Sequence, residues 1–421
     1  MKKYIKFPLV FVNEVDNLLK DIYCKSLPRT KFFLLYELIE RQSSSHPEKT
    51  FRNIKARLKA IYISNLLGRR YYKQIIDISI NKGIIQTDKQ YIVGEKSKDY
   101  WINLDFKDKI DYLDLTMQTQ VLINDEKLYK TIKKSYSRNN FDRKFWDIYC
   151  FLNKIDFDEI SATKWLMDLV KNNYFINPNG THNTHKYNVY QRMINDIVDK
   201  KWIIVEDEKT GRIFHTFNLI KRELRNFCYI DGEQLVQSDL KSSQPYFLAS
   251  KLLKLKPDNT DIQQFFTDVT ENDIYSLFLE KYIELTGSNK YKEIIIKKNK
   301  PVISVIKEFN NRNDIKPQFL KVMYKSNKGY AVLDKVIKEF YTDVYNEIKK
   351  LKPNGCKEQF PLELQTEEAN VFIPVFNKLK KEIWCLPVHD SLYVKKSEKE
   401  KMIKELKNRF NGLGYIKYEL V

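Results

Sequence analysis

Apolar positions along this chain recur with two different periods. Residues 28–66 carry Phe32, Phe33, Leu34, Tyr36, Leu38 and Ile39 on a helical face, punctuated at Ser64–Gly68. Residues 69–83 begin with basic residues and then place Ile75, Ile76, Ile78 and Ile80 on one helix, which Gly83 is expected to stop. Short runs follow at Ile84–Asp88 and Tyr91–Gly94, then a polar turn at Glu95–Asp99 and a strand-like alternation over Tyr100–Leu104. Residues 105–200 read as mainly helical. After Lys200 short strand-like runs, KWIIVE and EQLVQSDL, interleave with helices, so the expected class is α+β.

That order divides the 421 residues into three stretches: 1–104, 105–200 and 201–421. Lys plus Arg exceed Asp plus Glu by 74 to 55, a net charge of +19, which points to a polyanionic partner. With 43% hydrophobic and 14% aromatic residues the chain has material for a core, which excludes disorder as its main state. No apolar run reaches the ~18 residues a bilayer span requires, so no membrane is expected. The five cysteines are scattered and never form CxxC, so the reading is a thiol protein of a reducing cytoplasm. GxxxxGK[ST] and GxGxxG are both missing, which removes glycine-rich phosphate loops. His182 and His185 form HxxH in the loop-like NPNGTHNTHK and read as polar loop residues.

Three segments carry chemistry. LVQSDLKSSQPYFLASKLL reads as an apolar strand ending in Asp239, then a turn, then a helix from about Gln244. EIWCLPVHDSLYVKK puts His389 and Asp390 in a reversal between the apolar runs Ile383–Val388 and Leu392–Val394. An acid at an apolar strand end is costly unless it meets a cation. Two such acids side by side bridge two Mg²⁺ ions, the arrangement of two-metal phosphoryl transfer. Between them Arg312, Lys316, Leu320 and Tyr324 recur every four residues, a face that drifts by only ~40° per step on a helix. Pro317 is expected to sit in the first turn, with the helix starting near Asp314 and Arg312 just before it.

In this order the segments resemble the motifs of family A DNA polymerases and the related single-subunit phage-type RNA polymerases. SDLKSSQPYFLA resembles motif A, the Arg312–Lys316–Leu320–Tyr324 spacing resembles the nucleotide-binding helix, and PVHDSLYV resembles motif C. TGRIFHTF (210–217) and LQTEEANVFIPVFNKL resemble two flanking motifs, and the likeness covers roughly residues 205–395. It departs at Lys325, where the family has Gly. The resemblance implies a right-hand palm with helical fingers and thumb and a template-directed nucleotidyltransferase, first of all a DNA-dependent DNA polymerase of a mobile or phage-like element. Asp239, Asp390, Lys316 and Tyr324 would be catalytic, with Asp239, Leu240 and Asp390 as ligands of two Mg²⁺ ions, or Mn²⁺ in their place. Arg312, Lys316, Leu320, Tyr324 and Gln244 would bind the nucleotide, and Arg212, Gln365 and His389 the nucleic acid. Gln244 stands where the family sets sugar choice. Its bulk resembles the Glu of the DNA polymerases, whereas Ser391 resembles the RNA polymerases. The implied partners are primer–template DNA and dNTPs, with RNA as the alternative.

Residues 1–104 resemble winged-helix domains of replication and plasmid proteins, with Arg69, Arg70, Lys73, Lys96 and Lys98 as phosphate-facing cations. An RNA polymerase or primase, and a non-catalytic DNA-binding replication initiator, are the competing readings.

Overall fold

The computed structural model describes residues 4–43, 56–88, 98–103, 118–122, 126–128, 130–131, 143–176, 180, 183–240, 242–295, 303–325, 331–352, 359–410 and 418–420. The architecture is mixed α+β, and none of the described helices is long and apolar enough to cross a membrane. The chain divides into two compact units. One holds residues 1–205 and 215–229, the other residues 206–214 and 230–421.

In the first unit, helix Arg29–Ser43 precedes a short strand Ala56–Arg57, helices Ala60–Leu67 and Tyr72–Asn81, and strands Ile85–Thr87 and Asp99–Ile102. The three strands form one antiparallel sheet with Asp99–Ile102 in the middle, in the register Ala56↔Tyr100 and Ile85↔Ile102. Gly68 ends the second helix at φ 95°, a value that β-carbon sterics penalise in other residues, and its N–H returns to the Ser64 carbonyl at 2.8 Å. Ser64 therefore lies inside the helix, and the stop falls at Gly68. Phe32, Phe33, Leu35 and Tyr36 are fully buried, which is what fixes the first helix in place. The stretches 1–104 and 105–200 share this unit. Arg41 of the first helix pairs with Asp196 of helix Thr184–Val198 at 2.6 Å, and Glu37 receives Arg192 at 3.0 Å. His185 belongs to that same helix, not to a loop, because Asn183 caps it by accepting from the Lys186 N–H at 2.9 Å.

The second unit is built on strand Glu233–Leu240. It pairs antiparallel with Ser391–Lys395, which forms a hairpin with Cys385–Val388. Strand Tyr418–Leu420 pairs with the end of the same first strand. Helix Gln359–Leu379 packs against this hairpin and against helices Ser243–Leu255 and Arg312–Tyr324. Phe319 stacks on Phe278 of helix Ile274–Thr286 at 5.0 Å, an aromatic contact of the kind worth about 1 kcal/mol beyond area burial.

One expected boundary is corrected. The helix carrying Lys316 starts at Arg312, not at Asp314. Asn311 is the N-cap, accepting from the Asn313 N–H at 2.8 Å, and Asp314 reaches back to the Asn311 N–H at 3.2 Å. Asn311 and Asp314 are thus the two halves of a capping box, and Asp314 is its inner member. Pro317 consequently lies inside the helix rather than in its first turn.

Candidate functional site

Strand register sets the geometry of the two acids. Asp239 lies opposite Ser391, and the Leu240 N–H donates to the Asp390 carbonyl at 3.3 Å. The main chains of Asp239, Leu240 and Asp390 therefore meet where strand Glu233–Leu240 ends and strand Ser391–Lys395 begins, and the Asp239 side chain lies outside the described part of the structure. The sharp local backbone has a visible cost: Ser242 (φ 59°) and His389 (φ 55°), each just past the end of a strand, are left-handed without being glycine. Ser391 is 1% exposed, and its hydroxyl donates to the Val388 carbonyl at 2.7 Å, closing the hairpin. The exposed His389 ring lies 5.3 Å from Phe214, edge to face.

Phe214 ends the segment that carries Arg212. There Asp207 organises a tight turn. Its side chain accepts from the Thr210 hydroxyl at 2.6 Å, its carbonyl from the Gly211 N–H at 2.8 Å, and its own N–H donates to the Arg212 carbonyl at 2.9 Å. Gly211 takes φ 70° in that turn.

Arg212 then meets a residue that the sequence motifs do not mark. Glu368, on helix Gln359–Leu379, is 2% exposed. Arg212 contacts its Oε1 at 2.6 Å, and the Ser243 hydroxyl and Gln244 Nε2 each donate to its Oε2 at 3.0 Å. The Tyr324 hydroxyl donates to Gln244 Oε1 at 2.8 Å. Five side chains from four segments of the chain form one connected network beside Asp390. Burial raises the Glu368 carboxyl to about 7, and the nearby negative charge of Asp390 pushes the same way. Arg212 and the Ser243 bond oppose them. The Tyr324 phenol is pushed up to about 12, chiefly by burial, so it stays a hydrogen-bond donor at neutral pH.

The rest of the Arg312–Tyr324 face spreads outward. Lys316 is exposed and Leu320 half-buried. Arg312 is held by Asp273 at 2.8 Å and lies over the Tyr275 ring at 5.6 Å. The Tyr275 phenol is displaced far upward, by burial first and by the neighbouring Tyr324, Asp273 and Asp390, while Arg312 opposes the shift. Gln365, half-buried, precedes Glu368 by three residues on the same helix, so the two lie on neighbouring positions of one face.

In the first unit Arg69, Arg70 and Lys73 are exposed around the start of helix Tyr72–Asn81, and Lys98 is exposed just before strand Asp99–Ile102. Lys96 lies outside the described residues. Arg70 and Lys31 approach the Tyr71 ring at 5.5 and 5.0 Å. No protein-family model and no curated protein matches this chain.

Proposed function

We propose that the second unit is a template-directed nucleotidyltransferase, a DNA-dependent DNA polymerase of the family A type with a right-hand palm, acting on primer–template DNA and dNTPs. The observation that carries the reading is the strand register that sets Asp239 opposite Ser391, the chain neighbour of Asp390, with the Tyr324–Gln244–Glu368–Arg212 network close enough for the Asp390 charge to act on Glu368. The donor set suits Mg²⁺, since two carboxylates and the Leu240 main chain offer the oxygen ligands this cation prefers. When bound, the two ions would supply activation of the primer 3′-hydroxyl and charge stabilisation on the leaving group.

The remaining work falls to the chain's own side chains. Lys316, exposed on its helix, would bind the triphosphate as a point charge. Tyr324 and Gln244, hydrogen-bonded to each other, would form the wall against the sugar. Arg212 would hold the nascent base pair, and Gln365 would reach the minor groove of the primer–template. In the reaction the 3′-hydroxyl oxygen bonds to the α-phosphorus and the bond to pyrophosphate breaks, so positioning and electrostatics carry most of the catalysis. Ser391 is committed to closing its hairpin, which supports assigning sugar choice to Gln244 and favours dNTPs over an RNA product.

For the first unit, the helix–strand–helix–helix–strand–strand order with a three-stranded antiparallel sheet supports a winged-helix reading and duplex binding through Arg69, Arg70, Lys73 and Lys98. That same order favours, as a second reading, a replication initiator whose second unit does no chemistry. Incubation of the full chain with a primed template, Mg²⁺ and dNTPs separates the two. Primer extension supports the polymerase; tight duplex binding without extension by any nucleotide supports the initiator.

A further inference from the structure

Glu368 belongs to neither acid strand, yet it holds three side chains at the proposed substrate site. Once ionised, above about pH 7, the Glu368 carboxylate offers only acceptors. Gln244 must therefore turn its amide nitrogen toward Glu368, and this leaves its Oε1 facing Tyr324, whose hydroxyl donates to it. Both ends of the Gln244 amide are tied, one to helix Gln359–Leu379 and the other to the last residue of helix Arg312–Tyr324. An untied glutamine side chain samples several rotamers and either face of its amide. Burying a carboxylate is costly unless donors converge on it. Here three do, from Arg212, Ser243 and Gln244.

We propose that Glu368 is the positioning residue for sugar selection: it locks Gln244 in one amide orientation against the nucleotide sugar and ties that lock to Arg212. This inference rests on the polymerase reading of the site. With Glu368 in place, the Gln244 side chain stands as a fixed wall that a ribose 2′-hydroxyl meets. Without it, Gln244 keeps only the Tyr324 tether, swings aside, and can turn an N–H toward the 2′-hydroxyl. Because Arg212 shares the same carboxylate, the wall and the side chain proposed to hold the nascent pair move together.

The test is single-nucleotide incorporation of a dNTP and its matching rNTP by the full chain, read as the ratio of the two kcat/KM values. Gln244→Ala should lower the ratio by roughly 10–200-fold, the range for a pocket that misfits by an atom or two. Glu368→Met, which removes both acceptor oxygens, and Glu368→Asp, which keeps them but withdraws them by one methylene, should each lower the ratio in the same direction, mainly through a smaller rNTP KM. In a Gln244→Ala background Glu368→Met should change the ratio no further, since nothing is left to lock. A merely structural role would depress both sugars alike and leave the ratio where it was. Folded Glu368→Met or Glu368→Asp protein with a wild-type ratio overturns the inference, as does a further drop in the double variant. If Glu368→Met does not fold, Glu368→Asp decides alone. Wild-type protein that incorporates neither sugar removes the polymerase reading and this inference with it. Wild-type protein with a sugar preference indifferent to Glu368 removes this inference only.

Discussion

Replacing Arg212 with methionine takes the cation from a carboxylate that is 2% exposed, while Arg212 itself is 15% exposed. Breaking a buried pair from one side typically costs about 3–5 kcal/mol. The low end applies here, about 3 kcal/mol, because Ser243 and Gln244 still donate to Glu368. That loss should depend on pH in a defined direction. In the wild type the Glu368 carboxyl sits at about 7 in the folded protein, above its ordinary 4.5. Between those values the folded state binds more protons than the unfolded, so this group's contribution to stability falls as pH rises and is fully lost above about 7. Without Arg212 the folded value climbs further, because the cation that opposes burial is gone. The deficit of Arg212→Met against wild type should therefore be under about 1 kcal/mol at pH 6, where the carboxyl is protonated in both proteins. It should grow to about 3 kcal/mol by pH 9. Urea melts at both pH values, in EDTA so that divalent cations do not alter the field of Asp390, measure it. A deficit equal at the two pH values, or small at pH 9, would refute the buried ion pair.

Two further predictions concern other parts of the chain. Exchanging Arg69, Arg70, Lys73 and Lys98 for glutamine should weaken duplex binding regardless of sequence and reduce the slope of log K against log salt by up to about 3 to 4, at ~0.9 for each phosphate no longer neutralised; an unchanged slope would remove these cations from the interface. Burial lowers the Lys352 ammonium to about 8 in the folded protein, so the unfolded state binds more protons between that value and 10.5, and this residue's contribution to stability rises with pH across that window. The melting temperature of Lys352→Met relative to wild type should accordingly fall between pH 7 and pH 10, and a difference that stays constant or rises would show that Lys352 is not desolvated.

The strand EQLVQSDL is legible because Gly232 bounds it on one side and a polar turn on the other, although it runs one residue past Asp239, to Leu240. The hairpin around His389 and Asp390 is legible for the same reason: two apolar runs flank a two-residue polar reversal. The start of the Arg312 helix is misplaced by sequence because Asn311 and Asp314 are both cap-type residues, and only their reciprocal bonding shows which is the cap. Glu368 escapes notice because TEEAN reads as a solvated run. A signal is nonetheless present: Leu364, Glu368 and Phe372 are spaced by four on the buried face of their helix. Its meaning depends on partners 125 and 124 residues away, Ser243 and Gln244, and no local pattern reports a contact at that range.

The proposed role of Asp239 and Asp390 in metal-dependent nucleotidyl transfer is decided by primer extension with wild type, Asp239→Asn and Asp390→Asn, folding being checked by thermal melting. Mg²⁺-dependent dNTP incorporation is expected of the wild type and should be lost in both variants, each still folded, because each substitution removes one of the two proposed metal-binding charges. Near-wild-type incorporation by either variant would contradict it.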